Sequence, residues 1–214
     1  EDDVQRVLPE ITRKIRANEG FLLEYGGSVR PMFIIYLATS SPNMAAEEAM
    51  HLLHAVTRER DDTTEPLDEF DRFYGTVCTE ALGFVGSKFV NDRREAPTLR
   101  GLQRYIAEHR TRRPGGTDAR NVRIARLISS HCRMSRRGTA SAPHRRFVER
   151  LGPARTAVSQ AVATQVGYML GERLYRAVKR GRLSAAFVRQ LLHDPLDRPG
   201  VAFSAYMRIR AHVL

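Results

Sequence analysis

Glu47, Glu48, His51 and His54 fall within eight consecutive residues of one helical pattern. Glu48 and His51 form the i, i+3 carboxylate–imidazole pair with which helical di-iron centres bind metal. Such a centre needs the pair twice, with two further glutamates. The chain has no second copy, so the stretch reads as a solvated helix face with two titratable histidines, and no metal or other cofactor is expected. "DDTTE", Asp61 to Glu65, offers adjacent carboxylates, the hard oxygen ligands that magnesium prefers. Its competing reading is an acidic interhelix loop with Pro66 opening the next helix. "YGGS" and "PGGT" lack the strand–loop–helix context and the lysine of a phosphate loop. No Gly-x-Ser-x-Gly elbow is present, and neither Cys78 nor Cys132 has an obvious histidine and acid set. Catalysis is therefore not the expectation.

Two stretches resemble known families. "DDTTE" resembles the aspartate-rich motif with which all-helical terpenoid synthases hold magnesium and a diphosphate. The resemblance implies a metal-dependent enzyme on a phosphorylated substrate, built around Asp61, Asp62 and Glu65. The family's second metal motif begins Asn-Asp and carries a downstream Ser/Thr and Glu. "NDRREAPT", from Asn91, has that first pair but departs at the arginine that follows, and the chain has no tryptophan to shield a carbocation. "FYGTVCTEALGF", Phe73 to Phe84, resembles the BH1 segment of Bcl-2-like proteins, with an aromatic–Gly start and a later Gly on a buried helix. It lacks the Asn-Trp-Gly-Arg core, its glycine spacing differs by one, and Glu80 intrudes. No groove residue is carried over.

The charge is split along the chain. Residues 1–100 carry 12 basic and 18 acidic side chains, and residues 101–214 carry 23 basic and 6 acidic ones. The halves thus differ between −6 and +17. Only Lys14, Lys88 and Lys179 are lysine, a bias that a GC-rich genome explains. Codon bias does not explain why acids vanish from the second half, and this asymmetry is the strongest indication of a partner.

The elements that must carry these residues read as helices almost throughout. Val4, Val7, Leu8, Ile11 and Ile15 mark a first helix ending near Gly20. Pro31 suits the first turn of a short buried helix, and the β-branched "FIIY" leaves a strand open. Ser41-Pro42 begins a helix with Ala46, Met50, Leu53 and Val56 on its core face. Thr64 and Pro66 open the next, whose glycines Gly75, Gly83 and Gly86 allow close approach of another helix or a local break. Thr98 caps one helix and Asp118 starts another. A long helix spans about Pro153 to Arg180 and closes at Gly181. Its "GYMLG" spacing, surrounded by Gln165, Glu172, Arg173 and Arg176, suits close packing of two water-soluble helices. Ser184 caps "AAFVRQLLH", Pro195 stops it, and a last helix runs through Val201, Phe203, Met207 and Ile209.

The expected fold is all-α, an irregular bundle of about eight or nine helices. It divides into an acidic-to-neutral part (1–134), a basic exposed loop (135–145) and a basic helical part (146–214), as two subdomains or as one domain. No apolar run is long enough for a transmembrane span, and Glu1-Asp2-Asp3 lacks the basic and apolar runs of a secretory signal. Two cysteines argue for free thiols in a reducing compartment, hence an intracellular, cytoplasmic or nuclear protein.

The expected function is a non-catalytic interaction or adaptor domain that binds an acidic protein partner. The candidate contact residues are Arg110, Arg112, Arg113, Arg120, Arg123, Arg126, Arg136, Arg137, Arg145 and Arg146. Nucleic acid is the alternative partner, although residues 107–146 lack the aromatics that stack bases. Self-association through helix packing is a further reading. Arg136-Arg137-Gly138-Thr139 also has the spacing of a basophilic kinase site.

Overall fold

The computed structural model describes residues 21–23, 33–35, 42–57, 66–110, 117–137 and 140–213. Strands β1 (Phe21–Leu23) and β2 (Phe33–Ile35) form a small antiparallel pair in which Leu22 faces Ile34. The β-branched stretch at Phe33 thus takes the strand alternative. Among the described residues, the elements that follow are helices: α1 (Pro42–Thr57), α2 (Glu69–Val90), α3 (Leu99–Arg110), α4 (Thr117–Arg137), α5 (Ser141–Leu151), α6 (Ala157–Lys179), α7 (Ala185–His193) and α8 (Val201–Val213). The architecture is an all-helical bundle, as the periodicity indicates. The helix expected over residues 4–20 lies outside the described residues.

Helix α2 is the axis of the bundle. Its run Ala81-Leu82-Gly83-Phe84-Val85-Gly86 is apolar or small at every position, and all six residues are buried. A helix that is apolar all round cannot keep a solvent face and must be enclosed. Helix α6 lies along one side, α1 along another, and α5 and α8 close the N-terminal half. Glycine makes these approaches close. A Cβ on Gly171 would stand 2.6 Å from the Ala81 carbonyl oxygen, and one on Gly167 would stand 2.9 Å from the Val77 carbonyl oxygen. On the α1 side, Gly83 receives the His51 ring and Gly86 the Met50 side chain. The expectation that these glycines serve close helix packing holds on both sides.

Several boundaries follow local chemistry. Thr98 accepts the Gly101 amide at 2.8 Å, Ser184 accepts the Phe187 amide at 3.1 Å, and Gly181 ends α6 at a φ of 65°. Two starts shift inward from the sequence reading. Helix α2 begins at Glu69 because Asp68, and not Thr64, caps it through the Asp71 amide at 2.8 Å. Helix α6 begins at Ala157 under Thr156.

The largest departure concerns residues 135–145. In place of an exposed loop, α4 runs through Arg137 and α5 starts at Ser141. His144, near the C-terminal end of the expected loop, is 0% exposed. One core cluster joins Phe73 and Tyr74 of α2, Ile128 of α4, Phe147 and Leu151 of α5, and Tyr206 and Ile209 of α8. The core therefore draws on both sides of that seam. Cys78 is buried and Cys132 half-buried, and the two are not joined by a disulfide. Among the described residues, no helix is long and apolar enough to cross a membrane.

Candidate functional site

The outer side of α4 carries the best-defined basic surface. Ile124, Ala125, Ile128 and His131 point inward. At 100° per residue this turns Arg123, Arg126, Ser130 and Arg133 outward along a single stripe. All three arginines are exposed. Beside the stripe, Ser130 and Met134 of α4 and Pro143, Arg146, Glu149 and Arg150 of α5 line a shallow groove of 590 Å³. Among the described residues, no carboxylate pairs with Arg123, Arg126, Arg133 or Arg146.

Two of the other candidate arginines turn toward the fold. Arg145 pairs with Asp68 at 2.9 Å and lies 4.3 Å above the Phe70 ring, tying α5 to the start of α2. Arg120 donates to the Ala157 carbonyl at 3.3 Å. Arg112, Arg113, Gly138 and Thr139 lie outside the described residues, as do Asp61, Asp62 and Glu65 and the side chains of Arg110, Arg136 and Arg137.

A second constellation sits where α1, α2 and α6 meet. The α1 face at Glu47 is not solvated, because Gly83 and Gly86 let α1 sink against α2. Glu47 is 5% and His54 3% exposed, so both lie on the inner face, with half-buried His51 between them in sequence. Glu47 accepts hydrogen bonds from the Arg94 guanidinium at 2.5 Å and from the Tyr168 hydroxyl at 2.6 Å. Arg94 in turn stacks over the rings of Phe84 (4.8 Å) and Tyr168 (5.2 Å). Buried Lys88 fixes the turn carrying Arg94 by donating to the carbonyls of Asp92 and Arg94.

Glu80, on α2, completes the group. Donor atoms of Glu47, His51 and Glu80 all lie within 4.8 Å of one another. Burial and then the Glu47 charge push the Glu80 carboxyl up to about 7. Burial lowers the His51 imidazole, with Glu47 opposing, and burial raises Glu48. Glu80 also lines a 660 Å³ cleft with His54, Thr76, Thr79, Thr164 and Asp197.

The third polar group is enclosed in the core. His131 meets the Tyr206 hydroxyl through Nε2 at 3.0 Å, and His144 meets the Ala140 carbonyl through Nδ1 at 2.7 Å. The rings of Tyr74, His131 and His144 stand about 6 Å from one another. Burial, then His144 and Arg210, lower His131 to about 3.

Comparison of the chain with protein-family models, curated proteins and solved structures finds no match. Sequence spacing singled out Glu48 with His51, whereas the fold brings together Glu47, His51, Glu80, Arg94 and Tyr168. The i, i+4 spacing of Glu47 and His51 is visible in the sequence. The contributions of α2, α6 and the turn after α2 depend on tertiary packing.

Proposed function

We propose that the chain is a non-catalytic helical interaction domain whose basic face, on α4 and α5, takes an acidic segment of a protein partner. The carrying observation is the stripe of Arg123, Arg126 and Arg133 beside a groove to which Arg146 and Arg150 contribute. Guanidinium forks match carboxylates bidentately. Here they are mounted on two helices anchored in the core by Ile128 and Phe147, so the backbone needs little ordering on contact. Met134 and Pro143 supply an apolar floor for the side chains between the acids.

The test is fluorescence anisotropy with a labelled Glu/Asp-rich peptide, run against labelled single-stranded RNA. The peptide should bind at about 50 mM salt and weaken as salt rises, because exposed charge pairs are screened. Three exposed contacts at about 0.5 kcal/mol each amount to about a tenfold loss in affinity. Arg123→Glu, Arg126→Glu and Arg133→Glu together should weaken the peptide at least that much. No peptide binding at low salt, or no effect of the triple substitution, overturns the proposal. RNA binding without peptide binding would transfer the face to nucleic acid.

A further inference from the structure

We propose that Glu47 and His51 of α1 and Glu80 of α2 form a binding site for one first-row divalent cation, with zinc the best-suited probe. The ligand set is one imidazole nitrogen and two carboxylate oxygens, contributed by two helices that glycines hold in close contact. Such a mixed set suits zinc and its neighbours rather than calcium or magnesium, which take oxygen alone.

The donor groups converge: the Glu80 carboxylate and the His51 imidazole both lie beside the Glu47 carboxylate that Arg94 pairs with. His51 adds a separate observation. Its Nδ1 is shut off from solvent and has no hydrogen-bond partner. A buried imidazole nitrogen without a partner is uncommon, and a neutral imidazole is the form that ligates metal.

The surroundings fit as well. Tyr168 and Arg94 each donate to one oxygen of Glu47, as outer hydrogen bonds to ligating carboxylates commonly do. The donor atoms are within 4.8 Å of one another; closing to the roughly 3.3 Å edge of a zinc tetrahedron takes small side-chain rotations. Three protein ligands leave a position open, and Glu80 borders the 660 Å³ cleft through which an ion can arrive.

Isothermal titration with zinc chloride, on chelator-stripped protein, tests this. The expected result is one zinc per chain, a raised melting temperature, and a cobalt(II) derivative with the visible absorption of a low-coordinate ion. Glu80→Gln, which keeps the shape of the side chain, should weaken zinc at least tenfold, and His51→Ala should do the same. Circular dichroism confirms that each variant is folded. Absence of stoichiometric binding overturns the proposal. Binding that survives both substitutions overturns it too, by placing the ion elsewhere. Failure here would leave the basic face untouched, since its peptide binding is read on a different surface.

Discussion

Unfolding free energy, measured in the presence of a chelator, should change little between pH 6.5 and 4.5 and then fall steeply toward pH 3. Two buried groups oppose each other in the upper window. His131 is held at about 3 in the folded chain against an ordinary 6.5. The unfolded state therefore takes up that proton first, and stability is lost as pH falls from 6.5 toward 3. Glu80 is held at about 7 against an ordinary 4.5. There the folded state takes the proton first, and stability is gained as pH falls from 7 to 4.5.

Each shift contributes about 1.4 kcal/mol per pH unit while it operates, so the two nearly cancel until Glu80 is fully protonated in both states. Below pH 4.5 the histidine acts alone, for a total of about 2 kcal/mol by pH 3. The lesser shifts are opposed in sign in the same way: burial lowers His51 and His144 and raises Glu48 and Asp71. Urea titrations at a series of pH values read this directly. Glu80→Gln should remove the plateau, so that stability begins to fall near pH 6.5. His131→Phe should flatten the acid limb even though it lowers stability at pH 7. A wild-type profile that falls uniformly from pH 7 would contradict the opposition described here.

The second large effect lies at the crossing of α2 and α6. Gly171→Ala should destabilise by about 2 kcal/mol and Gly171→Val by about 3 or more, the upper part of the range for overpacked interiors. The obstacle is backbone: a Cβ at this position meets the Ala81 carbonyl oxygen at 2.6 Å and the Phe84 Cβ at 2.9 Å. Neither can swing aside, so relief requires the helices to part, loosening Val77, Leu82, Leu170 and Leu174 together. Arg173→Ala, two residues along on the exposed side, should stay within about 0.5 kcal/mol. Urea midpoints for the three variants decide the matter, and an unaffected Gly171→Ala would contradict the close approach.

Much of the bundle was legible because its signals are local. Thr98, Ser184 and Gly181 act within their own turns, and the sequence marks all three. The glycines of α2 and α6 were readable as sites of close approach, although not which surface each would meet. The reading of residues 135–145 failed for a non-local reason. Small residues and three arginines look like a solvated loop, but His144 packs against Tyr74 and Phe203, and neighbouring Phe147 against Phe73, from distant parts of the chain. Tertiary packing there outweighs composition.

Helix α1 shows the same limit from the other side. Its apolar stripe through Ala46, Met50 and Leu53 is visible, yet the more buried positions are Glu47 and His54. Polar residues can take the inner face because Arg94, Tyr168 and the Asp194 carbonyl, none of them near in sequence, meet them there. Nothing in the α1 sequence announces those partners. The exposed arginines of α4 were legible as charge, but their common orientation depends on Ile124, Ile128 and His131 facing the core.

The enclosure of α2 by its neighbours has a consequence for how the molecule opens. A helix with a wet side can fray or detach while the rest of a protein persists. The middle of α2 has none: α1 and α6 press on it through glycine contacts, and α5 and α8 pack the turns before it. Its amide hydrogens are therefore exchangeable only through loss of the whole bundle. The slowest of them measure the global free energy of unfolding rather than any local breathing.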